Sequence, residues 1–442
     1  MTSNIIKPTG KGWWGGEVAP RLREQWTAHG GLLLRIAVVL AAIVTPLRLL
    51  RVFPELLWDF RPGSARDLKY RYLEVHTWFA GLPVYGSVNT ADYPPASYAM
   101  LWPLIGWLPL SPARWLWAAA ILAGLGFLAY VSLRANKAGT PMQWLFMALL
   151  PFSVYPTSAT IFPGQLIIHC LAPLMAGLLL LRRGRGRWWE DVLAAGLLIA
   201  ALAKPTVTAP FFWLVLFLPG RLRPIVLVSL GYLALTLFAS SFQEASLPAL
   251  LQAWRGQESQ ISVEQGNTNL SGWLAAIGLE EAIVPAALLT LLGLGVWTWR
   301  HRKTDFWLLV GVLGLATRLW IHHRGYDDLL FLAPMIALLR LARQSPAPDG
   351  SDVTAGLLFG LTWMTMLAPV DWLLWVPAST LLMKVWLGAL WVTVLLFLLG
   401  QVRQEKERSS SRSMGEGLKL FSIFQLIFVI CHRLRANLVN TQ

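Results

Sequence analysis

Repeated apolar runs constrain this chain more than any other feature. From residue 31 to residue 400, predominantly apolar stretches of about 17–22 residues recur, the length a helix needs to cross the hydrocarbon core of a bilayer. Inside hydrocarbon every backbone N–H and C=O must be satisfied within the chain, so such runs fold as helices. The pattern predicts an all-α protein, a polytopic transmembrane helical bundle. Composition agrees: of 442 residues 56% are hydrophobic and only 14% are charged, against about 25% charged in a soluble protein. Tryptophan gathers near the run ends (Trp58, Trp115, Trp188, Trp189, Trp320, Trp372), as an interfacial belt requires.

The formal net charge is +14. The basic residues sit in short loops between apolar runs, so they read as determinants of membrane orientation and not as a nucleic-acid surface. Of the two cysteines, Cys170 lies inside an apolar run and Cys431 in the C-terminal tail. That excludes a metal-type Cys spacing and argues against a disulfide. No cofactor and no metal are expected, and no cleavable leader is visible at the N-terminus.

Loop charge orders the spans. Residues 1–30, with Lys7, Lys11, Arg21 and Arg23, form a cytoplasmic segment. Residues 31–400 form one transmembrane domain, and residues 401–442 a basic cytoplasmic tail. Gly31–Leu50 crosses outward. Residues 51–93 form an external loop whose Ala65–Gly81 stretch is an interfacial helix. Pro94–Leu110 returns and Ala113–Leu133 crosses out again. Residues 142–163 are apolar but interrupted by Pro151, Pro156 and Pro163. A full crossing there would put Arg182, Arg183, Arg185 and Arg187 outside, so this stretch is expected to be a re-entrant pair of half-helices, which proteins tolerate where it lines a cavity. The later runs then alternate. Gly164–Leu181 goes in, and Asp191–Ala203 goes out to Lys204-Pro205. Thr206–Leu218 returns, Pro224–Ser241 leads out to a polar loop at 242–276, and Ile283–Trp299 returns. Phe306–Ile321 leads to His322-His323-Arg324, Leu329–Leu341 returns, Val353–Ala368 leads to Asp371, and Leu382–Leu399 returns to the tail. The count is about twelve crossings. The apolar stretch 418–431 is too short to span and receives no function.

With this topology the notable polar residues share the outer face. They are Asp59, Asp67, the Tyr93-Pro94-Pro95 turn, Gly164-Gln165, Lys204-Pro205, the loop with Asn267 and Asn269, and His322-His323-Arg324-Gly325-Tyr326-Asp327-Asp328. Ionisable groups in or beside a membrane are costly and tend to be functional. The competing reading makes each a helix cap, a snorkelling lysine or a solvated headgroup contact.

The run Asp67-x-x-Tyr70-x-Tyr72, followed by Gly81-Leu82-Pro83-Val84-Tyr85, Tyr93-Pro94-Pro95 and Pro103-Leu104, resembles the family 87 glycosyltransferases of the GT-C superfamily. The spacing of Gly164-Gln165 and Lys204-Pro205 is similar too, over roughly residues 30–400. The 326–328 segment matches less well. The resemblance implies an inverting sugar transfer (mannose or arabinose type) at the extracytoplasmic face of the cell inner (plasma) membrane. The donor would be a polyprenyl-phosphate sugar and the acceptor a lipid-linked or polymeric glycan.

Such a transfer needs one base for the acceptor hydroxyl. Asp67 is the first candidate and Asp59 the second. Asp67's alternative role is a helix N-cap. Glu74 is expected to pair with Arg71. Negative charge on the departing lipid phosphate calls for cations or oriented donors; Lys204, Arg324, His322 and His323 are the candidates. Tyr70, Tyr93 and Gln165 complete the expected substrate-binding set. Gln165 alternatively satisfies backbone freed by the Pro163 break, and His169 reads as a core histidine. Trp254 and Trp273 offer sugar-stacking faces, with interfacial anchoring as the alternative. Arg318 is placed to pair with Asp327 or Asp328. The main rival function is a lipid-linked glycan flippase or secondary transporter, but such a protein should carry midplane charges in matching halves of a repeat, and no repeat is seen. A polymerase or ligase of another family would want a larger external loop than 242–276. A purely structural membrane protein is the remaining reading.

Overall fold

The computed structural model describes residues 18–88, 91–264, 269–321, 323–343, 350–367 and 385–407. Among these the chain is helical, with no strand. In order the helices are α1 (Val18–Trp58), α2 (Arg66–Phe79), α3 (Pro95–Leu101), α4 (Leu110–Asn136), α5 (Pro141–Ser153), α6 (Tyr155–Ile161), α7 (Ile167–Arg182), α8 (Trp188–Ala201), α9 (Pro205–Thr208), α10 (Phe212–Phe217), α11 (Arg223–Ser240), α12 (Leu247–Glu264), α13 (Leu270–Ala276), α14 (Ile283–His301), α15 (Phe306–Trp320), α16 (Leu332–Ala342) and α17 (Ser351–Leu367). A last helix, α18, covers Val385–Glu407. His322, Asn267, Asp371, Trp372 and the stretch 418–431 lie outside the described residues.

By length and composition five helical stretches can cross a membrane: Ala28–Trp58, Leu110–Asn136, Arg223–Ser240, Glu280–His301 and Val385–Glu407, with α5 and α6 together a sixth if they are one bent span. The expected twelve crossings are not all helices of spanning length. The run 94–110 shows why. It forms a 7-residue helix and a 5-residue π turn, Trp102–Gly106, which together rise only about 18 Å against the roughly 30 Å of a bilayer core. Pro103 breaks the α pattern there, and a side chain at Gly106 would collide with the Trp102 ring.

The break expected within 142–163 is present. α5 and α6 meet at a 44° bend, where Pro156 cannot continue the ladder of α5. The carbonyls freed by the bend are taken up: Arg48 of α1 donates to the Ser153 carbonyl, and Thr157 Oγ1 donates to Pro151 O at 2.5 Å. An arginine inside an apolar run thus has a defined acceptor, as its burial demands.

The polar stretch 242–276, expected as a loop, is largely helical. Leu247, Leu250, Leu251 and Trp254 recur at helical spacing and give α12 an apolar stripe, with Leu250 buried. α15 is buried nearly all round. Gly311 and Gly314 let α16 approach it: an added Cβ would lie 2.9 Å from Ala337 Cβ and from Ala333 Cβ respectively. Small residues at such a contact bring backbones close. This tight hairpin fixes residues 323–331 ahead of α16, which carry the late polar motif.

Candidate active site

The first half of the site is built by a turn, not by α2 itself. Ala65, the residue before α2, has no side-chain cap to offer and sits in left-handed backbone (φ 48°). The orphan N–H groups of the helix start are instead taken by the turn that follows α6. Ala65 N–H donates to Phe162 O at 2.9 Å, and Asp67 and Leu68 N–H both donate to Pro163 O, at 2.8 and 3.0 Å. A remote carbonyl therefore does what a capping side chain would do. Close approach requires Gly164, whose φ is +77° and whose added Cβ would fall 2.6 Å from Leu68 Cβ. The next residue, Gln165, then donates its side-chain amide to Asp67 Oδ2. Two alternatives raised by the sequence are thereby corrected. Asp67 is the second residue of α2 and not its N-cap, and the Gln165 side chain bonds Asp67, leaving the break to its backbone N–H, which donates to Thr160 O at 2.8 Å.

The second half centres on Asp327. Pro205 bars the residue before it from helical backbone, so α8 ends and Lys204 adopts φ −126°, ψ 82°. Its ammonium reaches Asp327 Oδ1 at 2.6 Å and lies 4.8 Å from the centroid of the Tyr326 ring. His323 Nδ1 lies 3.3 Å from the other oxygen, Oδ2, which also accepts from the Arg324 backbone N–H at 3.2 Å. Burial raises the Asp327 carboxyl, but the Lys204 charge and the His323 contact more than offset it, and it lies well below the usual carboxylate range. Burial lowers His323 below an ordinary histidine, against the opposing pull of Asp327. Asp328 faces elsewhere and accepts from Arg318 Nε and from the Tyr155 hydroxyl. Of the two partners open to Arg318, the structure selects Asp328. One carboxylate of the pair faces Lys204, while the other bolts the segment to α15 and α6.

Tyr326 links the halves. Its phenol is raised far above the ordinary value, by burial first, then by Asp327, with Asp67 and Asp92 adding to the effect. Arg71, one turn after Asp67 on α2, carries Tyr93 against its guanidinium at 4.3 Å. It pairs with Glu74 at 2.8 Å, as expected, and with Asp92 at 2.9 Å. Asp92 was not among the notable residues, and Tyr326 was named among them without a role. Asp92 directly precedes the Tyr93-Pro94-Pro95 turn, which was the only signal available for it.

The remaining candidates divide. Tyr70 is half-buried. Arg324 is half-buried, and its guanidinium forms no ion pair with a described residue. Asp59 belongs to a different cluster: it accepts from Lys69 and, at 3.4 Å, from Arg114. The Lys69 hydrogen bond, against a burial cost, holds its carboxyl below the ordinary value. Trp254 donates its indole N–H to Asp92 O at 2.9 Å, a structural use, while Trp273 is 46% exposed on α13. His169 stacks on Trp117 with ring centroids 4.1 Å apart.

Long apolar helices and polar side chains paired across separated segments define a membrane protein with buried charged clusters. A family model describing glycosyltransferase family 87 matches residues 92–320, more than half of the chain, and the chain belongs to that family. It is a membrane glycosyltransferase. The matched stretch includes Tyr93, Gln165 and Lys204, while Asp67, His323 and Arg324 lie outside it, a narrower span than the resemblance in the sequence suggested. No curated protein and no solved structure matches the chain.

Proposed function

We infer that this glycosyltransferase transfers a sugar, of mannose or arabinose type, from a polyprenyl-phosphate donor to a glycan or glycolipid acceptor, with inversion at the anomeric carbon. The fold is of GT-C type. Residues 31–400 form the catalytic domain, residues 1–30 and 401–442 flank it in the cytoplasm, and the pocket opens to the extracytoplasmic face of the inner (plasma) membrane. Membrane lipids surround the bundle and the prenyl chain enters from them; nucleic acid has no part.

Asp67 is the base. The acceptor hydroxyl oxygen attacks the anomeric carbon, its proton passes to the Asp67 carboxylate, and the bond from the anomeric carbon to the phosphate oxygen breaks. The electron pair leaves with the phosphate as polyprenyl phosphate. Gln165 holds Asp67 oriented through a neutral amide, with Arg66 Nε 3.4 Å from the other oxygen. Arg324 and Lys204 face the developing phosphate charge, and His323, kept neutral by burial, serves as a hydrogen-bond partner there. Tyr93 and Tyr326 wall the pocket, with Tyr70 at its edge. Asp59 holds α1 to α2 and α4 through Lys69 and Arg114 and takes no part in the chemistry.

The observation that carries this reading is the Gln165–Asp67 hydrogen bond beside the Lys204–Asp327–His323 cluster. It is tested with purified protein in nanodiscs supplied with radiolabelled polyprenyl-phosphate mannose or polyprenyl-phosphate arabinofuranose. Wild type consumes one donor and Asp67→Asn does not. Equal consumption by both proteins would remove Asp67 from its role. Transbilayer movement of lipid-linked glycan without donor consumption would favour the flippase.

A further inference from the structure

Asp92 stands out among the carboxylates around the pocket. Its partner Arg71 is 8% exposed and that arginine's other partner, Glu74, is fully buried, whereas the Asp92 side chain is 37% exposed. The guanidinium takes Oδ1 at 2.9 Å, and no described residue takes Oδ2. The backbone at this point is held from two further sides. Trp254 of α12 donates to the Asp92 carbonyl at 2.9 Å, and Tyr85 donates to the Tyr93 carbonyl at 2.6 Å. Tyr93 is itself clamped against Arg71, and the two prolines after it limit the backbone further. The result is a partly exposed carboxylate with one oxygen locked to a buried ion pair and the other without a described partner, on a backbone held from several sides.

Its position matters as much as its rigidity. Asp67 and Arg71 are one turn apart on the same face of α2, both buried, so Asp92 is tied to α2 through the residue one turn beyond the proposed base. Arg71, which holds Asp92, also carries the Tyr93 ring against its guanidinium at 4.3 Å, so an aromatic face adjoins the carboxylate. A carboxylate that accepts hydroxyl hydrogens beside aromatic rings is a chemistry suited to a polyol such as a sugar. The one cation that touches Asp92, Arg71, is already shared between Asp92 and the buried Glu74, whereas Lys204 lies at Asp327.

We propose that Asp92 is an acceptor-binding residue: its outward Oδ2 receives hydrogens from hydroxyls of an acceptor sugar, next to the hydroxyl that Asp67 deprotonates. Arg71 and Glu74 are its positioning residues. The proposal deepens the glycosyltransferase reading and rests on it for the location of the reacting hydroxyl. It restricts the acceptor to molecules that present at least two neighbouring hydroxyls, and so to a sugar and not a lone alcohol.

The experiment uses the full chain in nanodiscs, with n-octyl α-D-mannopyranoside as the acceptor probe and n-octanol as control. Equilibrium binding is measured first, for wild type, Asp92→Asn and Asp92→Glu. Wild type binds the mannoside in preference to octanol, Asp92→Asn binds it at least about tenfold more weakly, a loss equivalent to about 1.4 kcal/mol, and Asp92→Glu recovers part of the loss. Equal binding by wild type and Asp92→Asn overturns the proposal, as does no preference for the mannoside over octanol. Thermal melting compares the folds, and Arg71 keeps Glu74 as a partner in Asp92→Asn, so an unfolded variant is recognised as such and Asp92→Glu then decides. Kinetics with the radiolabelled donor form the second arm. Asp92→Asn raises the KM for the mannoside about tenfold while donor KM stays within about twofold. A parallel rise in both would assign Asp92 to the pocket's fold. Failure of wild type to consume either donor strikes the base-and-donor reading alone, because the binding arm needs no turnover.

Discussion

The two ends of α8 each hold a buried carboxylate between two basic partners, and they differ in what surrounds them. At its start, Asp191 is fully buried and is gripped by Arg221 at 2.5 Å and Arg223 at 3.3 Å, whose side chains are 22% and 51% exposed. Just past its end, Lys204 meets Asp327 and His323, and all three are buried. The Asp191 cluster is two arginines, thirty residues on, folded back over one acid. It ties the start of α8 to the start of α11, and its outer half is in contact with solvent. The Lys204 cluster is assembled from two distant segments, while Asp67 on α2 takes the neutral Gln165 amide on one oxygen and Arg66 Nε, at 3.4 Å, on the other. Where carboxylates are fully matched by cations, the structure gains a latch. Asp67 is matched by an amide and by an arginine whose side chain is 53% exposed, and that looser pairing separates the proposed base from the latch.

Four measurements would break or sharpen the contrast. The largest effect is expected at Asp67: Asp67→Asn should cut sugar transfer by about 10²–10⁴-fold, the range for losing a general base, while Asp191→Asn changes turnover by less than about threefold. Comparable losses would erase the distinction. Next, Lys204→Ala leaves Asp327 buried without its cation and should cost about 3–5 kcal/mol of stability, read as a fall in Tm. The double change Lys204→Met with Asp327→Leu should recover Tm but not transfer. Recovery of both would make the pair structural only.

A smaller effect comes from acid. Asp327 and His323 are both lowered in the folded protein, so the unfolded chain binds more protons and stability falls as pH falls. The histidine contribution is lost first, below about pH 6.5, and the carboxylate contribution below about pH 4. Each proton is worth about 1.4 kcal/mol per pH unit. Tm should therefore drop between pH 7 and pH 5 in wild type and drop less in His323→Gln; identical slopes would contradict the buried neutral histidine. The smallest effect is at the other end: Asp191→Asn should cost on the order of 1 kcal/mol, because the arginines it releases are partly exposed and solvent screens them. A cost as large as that of Lys204→Ala would mean that exposure does not govern the difference.

Some of this was legible from residues in order, because it depends on local rules. The Pro156 break, the end of α8 before Pro205, the helix near 65–81 and the Arg71–Glu74 pair all follow from spacing and from proline's missing donor. The helical stripe of α12 was legible too, in Leu247, Leu250, Leu251 and Trp254, although its polar residues read as a loop. The short helix at 95–101 was not visible from hydropathy, which measures apolar length but does not see Trp102 and Pro103 redirecting the backbone.

The chain's own order of residues determined that this is a helical membrane protein with a scattered polar set, since apolar length and loop charge are properties of consecutive residues. Only the tertiary structure decided which members of that set meet. Pro163's carbonyl capping α2, Gln165 on Asp67, Lys204 on Asp327 and Arg71 on Asp92 join positions tens to more than a hundred residues apart. Such pairs depend on how helices pack and on where each burial leaves a charge in need of a partner, and neither is written in any single stretch of the sequence.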